Sequence, residues 1–492
     1  MTQRTGIDEG RGLRPRAFTL ELTKGCNLRC GYCYYADRED AYDPRTRMTP
    51  EVSQASVDML LREGPSDEPA HVHFFGGEPL LSFPLLKETV LYAEKNAAAL
   101  GKTVTFEVTT NGTRLTEEVI SFLDEHSIHV GVSFDGQKEI QDDARPAPKG
   151  SSYDQAVPGI RRLLESRRGT PLAAKTHCSV VLTRRSLDVR GIVRHLEELG
   201  FEKILLTPAT DLDGRTNGFR DEDLPALYSA FDELAQDYEQ AALKKEPVAS
   251  NWFPMLMGRL LSGERKTHFC QGGLDYLGVA ADGKVSLCYR FYENPEFSMG
   301  SVQEGIDRGV TERLLAHDLD SRTACSRCWA RWFCGGGCHH ENVTTGGGLG
   351  DPNPITCDLF RHSMGRTLEI WGRLSRQGVL PRRAAPSQEV PAMNGSQATS
   401  LPNGSPAEKP RRSPGCHVRD LAGEKVVYEP SSHEVVVLNA TAALIFELCD
   451  GERTVHDIVA RLSQEFAAPE AVLRSDLDAT LTELRARRLL TG

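Results

Sequence analysis

From about residue 17 to residue 210, short β-rich runs alternate with amphipathic segments of helix length. This alternation predicts βα units that share a parallel sheet. Six sequential units with right-handed crossovers predict an α/β fold, a partial (β/α)6 barrel with its functional loops after the strand C-termini. A flavodoxin-like open sheet has the same alternation and stays an alternative. The predicted strands are AFTLEL, HVHFF, TVTFEVTT, HVGVSF, THCSVVLT and KILLTP, and the helices between them include residues 51–62, 85–98 and 189–199.

Three further segments follow this core of residues 17–250, which a short extension of residues 1–16 precedes. Residues 251–377 are rich in Gly and Cys and lack the alternation, which predicts a domain organised by metal. Residues 378–415 contain almost no large apolar side chain and predict a flexible linker. Residues 416–492 predict a small winged-helix-like domain, with hairpin strands KVVYEP and EVVVLN and helices over 442–448, 455–466 and 471–488.

Composition and charge exclude several classes of protein. The 492 residues carry a net charge of −11, so the basic excess that general binding to nucleic acid requires is missing. No apolar run reaches the roughly 18 residues of a membrane span, and the first residues lack the apolar core of a signal peptide. We therefore expect a cytoplasmic protein with neither a nucleic acid nor a membrane as partner.

Thirteen cysteines in such a chain point to metal binding or chemistry, because the cytosol keeps thiols reduced. Cys26, Cys30 and Cys33 directly follow the first predicted strand. Three thiolates leave one iron of a [4Fe–4S] cluster without a protein ligand, and that iron can hold a cofactor or substrate. A zinc site is the alternative, but structural zinc takes four ligands and no nearby His or Cys completes this set.

The spacing CxxxCxφC, with Tyr32 as its aromatic residue, resembles the radical S-adenosylmethionine (SAM) superfamily. The segments GGEP, TTNGT, SFDG and DDAR follow in the order in which that superfamily places its SAM contacts. The resemblance implies a [4Fe–4S] cluster on the three cysteines and a bound SAM that yields a 5′-deoxyadenosyl radical. The implied SAM-contacting residues are Tyr32, Gly76, Gly77, Glu78, Pro79, Asn111, Ser133 and Arg145.

Seven cysteines between residues 270 and 357, with a glycine at 283, resemble the SPASM extension of radical SAM peptide-modifying enzymes. Two zinc sites completed by nearby histidines are the alternative. The resemblance implies two auxiliary [4Fe–4S] clusters, one on Cys325, Cys328, Cys334 and Cys357, the other on Cys270, Cys288 and Cys338. The second set has only three thiolates, so its fourth site is open, held by another group, or taken by a substrate thiolate.

The run CWARWFCGGGC is most similar to thioether-forming peptide maturases. Sulfatase-maturing relatives carry an Asp after the second SPASM cysteine, where this chain has Tyr289 and then Arg290, which disfavours formation of formylglycine. These two residues, with His339 and His340, are the candidate catalytic side chains, although packing and ion pairing are equally simple roles for them.

The closing segment resembles the PqqD-like recognition domain of ribosomal peptide maturation, in which a leader peptide adds a strand to the sheet. A DNA-binding winged helix is the alternative, but eight Lys and Arg against thirteen Asp and Glu after residue 415 leave a net charge of −5 that repels DNA. The predicted partners are a precursor peptide and a flavodoxin or ferredoxin.

The predicted function is a radical SAM enzyme that forms Cys-to-carbon thioether crosslinks in that peptide. The alternatives are carbon–carbon or carbon–oxygen crosslinking, maturation of a protein subunit as the quinohemoprotein amine dehydrogenase maturase does it, and an iron–sulfur redox-sensing adaptor.

Overall fold

The computed structural model describes residues 14–35, 42–209, 217–380, 408–421, 424–429, 434–438, 440–465 and 470–491. The predicted extension of residues 1–16 and the predicted linker of residues 378–415 lie largely outside these ranges. The chain forms two compact units, one of residues 1–258 and 264–364 and one of residues 259–263 and 365–492.

Six parallel strands with helices between them open the first unit, as the alternation predicts. The strands are β1 (Ala17–Thr23), β2 (Ala70–Gly76), β3 (Val104–Thr110), β4 (His129–Ser133), β5 (Thr176–Leu182) and β6 (Ile204–Pro208). The helices are α1 (Pro50–Glu63), α2 (Phe83–Ala99), α3 (Glu117–Glu125), α4 (Lys138–Ala144), α5 (Ser152–Arg167), α6 (Val189–Leu199), α7 (Leu224–Lys244) and α8 (Trp252–Ser262). The strands lie side by side in chain order, which excludes the order of a flavodoxin-like sheet.

Local sequence explains where these elements begin and end. Thr49 caps α1 by accepting a hydrogen bond from the Val52 amide, and Pro50 occupies the first turn, where its missing N–H costs nothing. Helix α6 ends at Gly200, whose φ of +107° lies in the left-handed region. Within β2, Val72 and Phe74 and their neighbours on that face are buried, whereas the alternate side chains are half-buried.

The Cys-rich segment extends the same sheet. Strands β7 (Tyr276–Val279), β8 (Lys284–Ser286), β9 (Ser298–Ser301) and β10 (Gly305–Ile306) form an antiparallel meander, and β7 pairs in parallel with β1. The sheet therefore has ten strands, in the order β10-β9-β8-β7-β1-β2-β3-β4-β5-β6. The helices here are α9 (Gly309–Ala316), α10 (Thr323–Ser326), α11 (Arg331–Cys334), α12 (His339–Glu341) and α13 (Pro354–Arg376).

The end of the chain builds a small mixed domain with its own core. Strands β12 (His417–Leu421), β13 (Glu424–Glu429) and β14 (Glu434–Leu438) form a meander, and β11 (Arg411–Arg412) pairs with β15 (Leu490–Thr491). Helices α14 (Ala440–Leu448), α15 (Val455–Glu465) and α16 (Glu470–Ala486) correspond to the three predicted helices. Residue 466, the predicted end of the second of these helices, lies outside the described residues. Val427, Val436, Ile445 and Phe446 lie in the core. Strand β14 has β13 on one side and, among the described strands, an open edge on the other.

Candidate active site

The loop after β1 holds three thiols near the carboxyl ends of the parallel strands. Burial raises the pKa of Cys26 to about 11 and the pKa of Cys30 to about 12, and the neighbouring Cys33 thiol contributes in both cases. Soft thiolates are the ligands of iron–sulfur clusters, and three of them on one loop fit a [4Fe–4S] cluster in which one iron has no protein ligand.

Two glycines let the loop after β2 pack against this thiol loop. Gly76 has a φ of +130°, and a Cβ on Gly77 would lie 2.3 Å from the carbonyl oxygen of Gly25. The Glu78 amide donates to the same carbonyl at 2.8 Å. Pro79 is buried and begins a short 3-10 helix over Pro79–Ser82. Backbone contact thus fixes the carboxylate of the GGEP segment beside the thiols.

The Glu78 carboxylate is fully buried and accepts three hydrogen bonds. The donors are the Thr110 hydroxyl at 2.7 Å, the Asn111 amide at 2.7 Å and the Leu80 amide at 3.1 Å. Burial nevertheless raises the pKa of Glu78 to about 7. The Asn111 side chain donates in turn to the Asn27 side chain of the thiol loop at 2.9 Å. The site thus contains an acidic group whose ionised form needs a cationic partner.

Asp135 connects two of the predicted SAM contacts and was not predicted. Its carboxylate is fully buried and accepts from Arg145 Nε at 2.8 Å, Arg145 Nη2 at 3.1 Å, the Val181 amide at 2.9 Å and the Tyr32 hydroxyl. The guanidinium lies 5.3 Å from the centre of the Tyr32 ring and is near enough to Cys30 to affect its pKa. The signal in the sequence is the acid of SFDG, directly after β4.

One cavity of about 330 Å³ joins these groups to the Cys-rich segment. From the barrel loops it is lined by the three cysteines and by Tyr32, Gly76, Gly77, Glu78, Asn111, Ser133 and Arg145. From the other side it is lined by Tyr289, Arg290, His340 and Glu341. Of the predicted SAM contacts and catalytic candidates, Pro79 and His339 are absent from this lining, and the seven cysteines of the second group are absent from it as well. Two regions of predicted site residues, more than 100 positions apart in the chain, therefore face one space.

The second group of thiols falls into two neighbourhoods. Burial raises the pKa of Cys270 to about 11 and that of Cys288 to about 12, and Cys338 influences both. Burial likewise raises the pKa of Cys357 to about 12, with contributions from the three remaining thiols of the segment, Cys334, Cys325 and Cys328. These neighbourhoods coincide with the two ligand sets that the SPASM resemblance implies. Their role in binding iron remains a prediction.

A triple glycine separates these two neighbourhoods. Gly335, Gly336 and Gly337 all have φ between +78° and +90°, a conformation that other residues rarely adopt. A Cβ on Gly336 would lie 2.3 Å from Nη1 of Arg322, and that nitrogen donates to the Gly336 carbonyl at 3.0 Å. His339 follows, buried, and its two ring nitrogens lack hydrogen-bond partners among the described residues. At the three glycines the backbone therefore packs so closely against its neighbours that a larger side chain would not fit.

The candidate catalytic pair Tyr289 and Arg290 is held by specific neighbours. The Tyr289 ring lies 4.5 Å from the Phe75 ring of β2, measured between centroids. Arg290 Nη1 lies 3.6 Å from Oε1 of Glu341, whose second oxygen accepts from the Thr356 hydroxyl at 3.2 Å. This arrangement places an ion pair at the cavity wall opposite the thiol loop.

Two segments of the chain match families of known proteins. Residues 20–183 match the Radical SAM superfamily, and residues 424–490 match the family described as Coenzyme PQQ synthesis protein D (PqqD). The chain is 26% identical over 332 residues to the cysteine-type anaerobic sulfatase-maturating enzyme of Clostridium perfringens, an alignment that covers 64% of this chain and 86% of that enzyme.

Solved structures are similar in fold. The structure titled "Native anSMEcpe with bound AdoMet" covers 74% of this chain and 99% of its own, with a TM-score of 0.61 and 20% identity. Streptococcus suis SuiB bound to precursor peptide SuiA covers 69% of this chain and 75% of its own, with a TM-score of 0.51 and 15% identity. None of the described helices is long and apolar enough to span a bilayer.

Because two of its segments match these family models, the chain carries a radical SAM domain within residues 20–183 and a PqqD domain within residues 424–490.

Proposed function

We propose that this protein is a radical SAM enzyme that modifies a ribosomally made precursor peptide by joining a cysteine sulfur to a carbon atom. The observation that carries the proposal is the shared cavity, which the thiol loop lines from one side and residues beside the second thiol group line from the other. A peptide side chain in that space would lie between the thiol loop and the second thiol group. This position suits a reaction that begins at the thiol loop and is completed at the second thiol group.

The barrel residues fit a cluster and SAM. Cys26, Cys30 and Cys33 would hold the cluster, the Glu78 carboxylate would bind the SAM amino group, and Arg145 would bind its carboxylate. The ribose contacts would come from the Asn111 and Ser133 positions of the same cavity. When bound, these cofactors supply a carbon radical that removes a hydrogen atom from a peptide C–H bond. The chain's own part is to orient that bond and to exclude water.

The second thiol group supports sulfur chemistry. Cys270, Cys288 and Cys338 would hold one auxiliary cluster with three thiolates, which leaves a site for a substrate thiolate. The remaining four thiols would hold the other. Arg290 lies near Cys338 and lines the cavity, so a thiolate bound there would sit beside the reacting carbon. We propose residues 17–250, 251–377 and 416–492 as the three domains.

The PqqD domain supports a peptide substrate. Its strand β14 presents an open edge among the described strands, and an extended leader peptide can add a strand to such an edge. Binding the leader on a tethered domain raises the effective concentration of the rest of the peptide, to about the millimolar range if the tether spans the gap. A flavodoxin or ferredoxin would supply electrons.

The test is coexpression with short Cys-bearing reading frames that neighbour this gene, followed by intact mass and cysteine alkylation. A thioether predicts loss of two hydrogen atoms with one cysteine no longer alkylated. The same mass loss with every cysteine alkylated would indicate a carbon–carbon or carbon–oxygen crosslink instead. The matched control replaces Cys26, Cys30 and Cys33 by Ala, which should abolish both the modification and the formation of 5′-deoxyadenosine. A protein that leaves SAM intact under strong reductant would be an adaptor and not an enzyme.

Oxidation of a single cysteine or serine to an aldehyde is the second candidate, because the curated relative acts as a sulfatase-maturating enzyme. Glu341 supplies a carboxylate at the cavity wall, although it is paired with Arg290. An aldehyde product would react with a hydrazide probe, and a thioether would not.

A further inference from the structure

An unexpected row of polar side chains crosses the inner face of the barrel below the cavity. The strand register places Thr19 of β1 beside His73 of β2, His73 beside Glu107 of β3, and Glu107 beside His129 of β4. Buried parallel strands are normally near-continuous hydrophobic runs. Burying ionisable groups here costs free energy unless they are paired, and none of the predicted SAM contacts uses them.

His73 connects this row to the cavity. Its Nε2 lies 2.8 Å from the Thr109 hydroxyl, and both residues line the cavity wall. Its Nδ1 lies 3.3 Å from the Tyr276 hydroxyl and 3.4 Å from the Thr19 hydroxyl. Because both ring nitrogens have hydroxyl partners, the imidazole can accept a proton at one nitrogen and release one from the other.

Glu107 and His71 connect the row to solvent. Glu107 Oε2 lies 3.6 Å from Nε2 of His71, and Nδ1 of His71 lies 3.0 Å from the hydroxyl of Thr105. The side chains of His71 and Glu107 are 29% and 26% exposed, and Thr105 is exposed. Solvent therefore reaches one end of the row while the cavity lies at the other.

The imidazoles around Glu107 favour the ionised form of its carboxylate. The titratable groups that face it are His71 and His73 on β2, His129 on β4, His177 on β5 and Tyr276 on β7. Burial alone would raise the pKa of Glu107, but the nearby imidazoles of His71, His73 and His177 lower it to about 2. Burial lowers the pKa of His73 to about 4. Near neutral pH, a neutral imidazole thus stands beside an ionised carboxylate.

We propose that His73, Glu107 and His71 carry the proton released by the crosslinking reaction from the cavity to the far end of the barrel, with the Tyr276 hydroxyl and one water between Nδ1 of His73 and Glu107. This inference rests on the proposed function. Forming the C–S bond breaks one C–H and one S–H bond. The hydrogen atom leaves on 5′-deoxyadenosine, one electron passes to an iron–sulfur cluster, and the thiol proton leaves through Thr109 and His73.

The experiment measures crosslinked precursor and 5′-deoxyadenosine separately in reconstituted enzyme, with the precursor found by coexpression. Glu107→Gln and His73→Ala are expected to keep SAM cleavage and to lower the product formed per 5′-deoxyadenosine by about a hundredfold at pH 7, the lower range for a positioned proton acceptor. The ratio should recover as pH rises, and added imidazole should restore His73→Ala. Glu94→Gln is the matched control, since Glu94 pairs with His126 at 2.9 Å on the outer helices.

Each result decides between the possibilities. An unchanged ratio in both row variants overturns the proton path and leaves the proposed function intact. An equal loss in Glu94→Gln also overturns it, because the effect would then be general. Absence of product with the unmodified protein overturns the proposed function and this inference with it. If Glu107→Gln loads less iron, Glu107→Asp, which keeps the charge, should restore both iron content and ratio, and a failure to restore the ratio counts against the path.

Discussion

Replacing Asp135 by Asn removes one charge from the buried pair behind the cavity and keeps the size of the side chain. Its two oxygens accept four hydrogen bonds, two of them from Arg145. An amide has only one oxygen, so in either orientation its NH2 group faces two of these donors. The guanidinium is itself buried and loses its counter-ion.

The expected cost follows from this burial. Breaking a buried ion pair by removing one partner destabilises a protein by about 3–5 kcal/mol. The matched control is Asp143→Asn, since Asp143 pairs with Arg185 at 2.9 Å while their side chains are 45% and 60% exposed. An exposed pair contributes only about 0–1 kcal/mol. The two substitutions make the same chemical change in opposite environments.

The assay is denaturant unfolding of the apo chain, with the free energy of unfolding compared among variants under identical conditions. Replacing the whole pair, as Asp135→Asn with Arg145→Met, should cost less than the sum of the single changes, because no unpaired charge remains. Titration with SAM should also show weaker binding to Asp135→Asn in reconstituted enzyme. Equal losses of stability in Asp135→Asn and Asp143→Asn would refute the reasoning.

Four further predictions concern the cofactors and the peptide. Burial raises the pKa of Glu78 to about 7, so the carboxylate loses its negative charge below that pH. The affinity for SAM, measured by calorimetry, should therefore fall roughly tenfold per pH unit between pH 7 and 5.5. The Glu78→Gln variant should show no such pH dependence. Gly77→Ala forces a Cβ against a carbonyl of the thiol loop, so iron analysis should show one cluster lost while the auxiliary iron stays. Cys338→Ser should also lose one cluster, whereas Cys449→Ser, in a helical core, should lose none. Val436→Asp places a charge in the core of the PqqD domain and should abolish leader binding while SAM cleavage persists, measured by fluorescence anisotropy and chromatography.

The main elements of the barrel could be predicted because their sequences are locally consistent. Each of β1 to β6 is a short β-rich run, and the helices between them carry caps such as Thr49 and Gly200. Pairing was harder to predict. Strand β7 has four residues in a Gly-rich segment, and nothing local indicates that Tyr276 lies beside Ala17. The strand His417–Leu421 was missed because HVRDL is short and half polar.

Side-chain partners were predicted where a resemblance named them and missed where only the fold brings them together. Glu78 and Arg145 were named by their motifs, but the buried carboxylate of Asp135 that holds Arg145 emerges from a loop ten residues away. The His73 and Glu107 row needs three correct strand registers. His73 and Glu107 are 34 residues apart in the chain, and only the register between β2 and β3 makes them neighbours. Local sequence therefore does not predict this pair.

The parallel pairing of β7 with β1 has a mechanical consequence. Strand β1, which leads into the thiol loop, and strand β7, which follows Cys270, share backbone hydrogen bonds in one sheet. The pairing of neighbouring strands thus fixes the separation of these two strands. In the proposed reaction, electrons and substrate atoms would cross a set distance, and the peptide would have to bend to fit it.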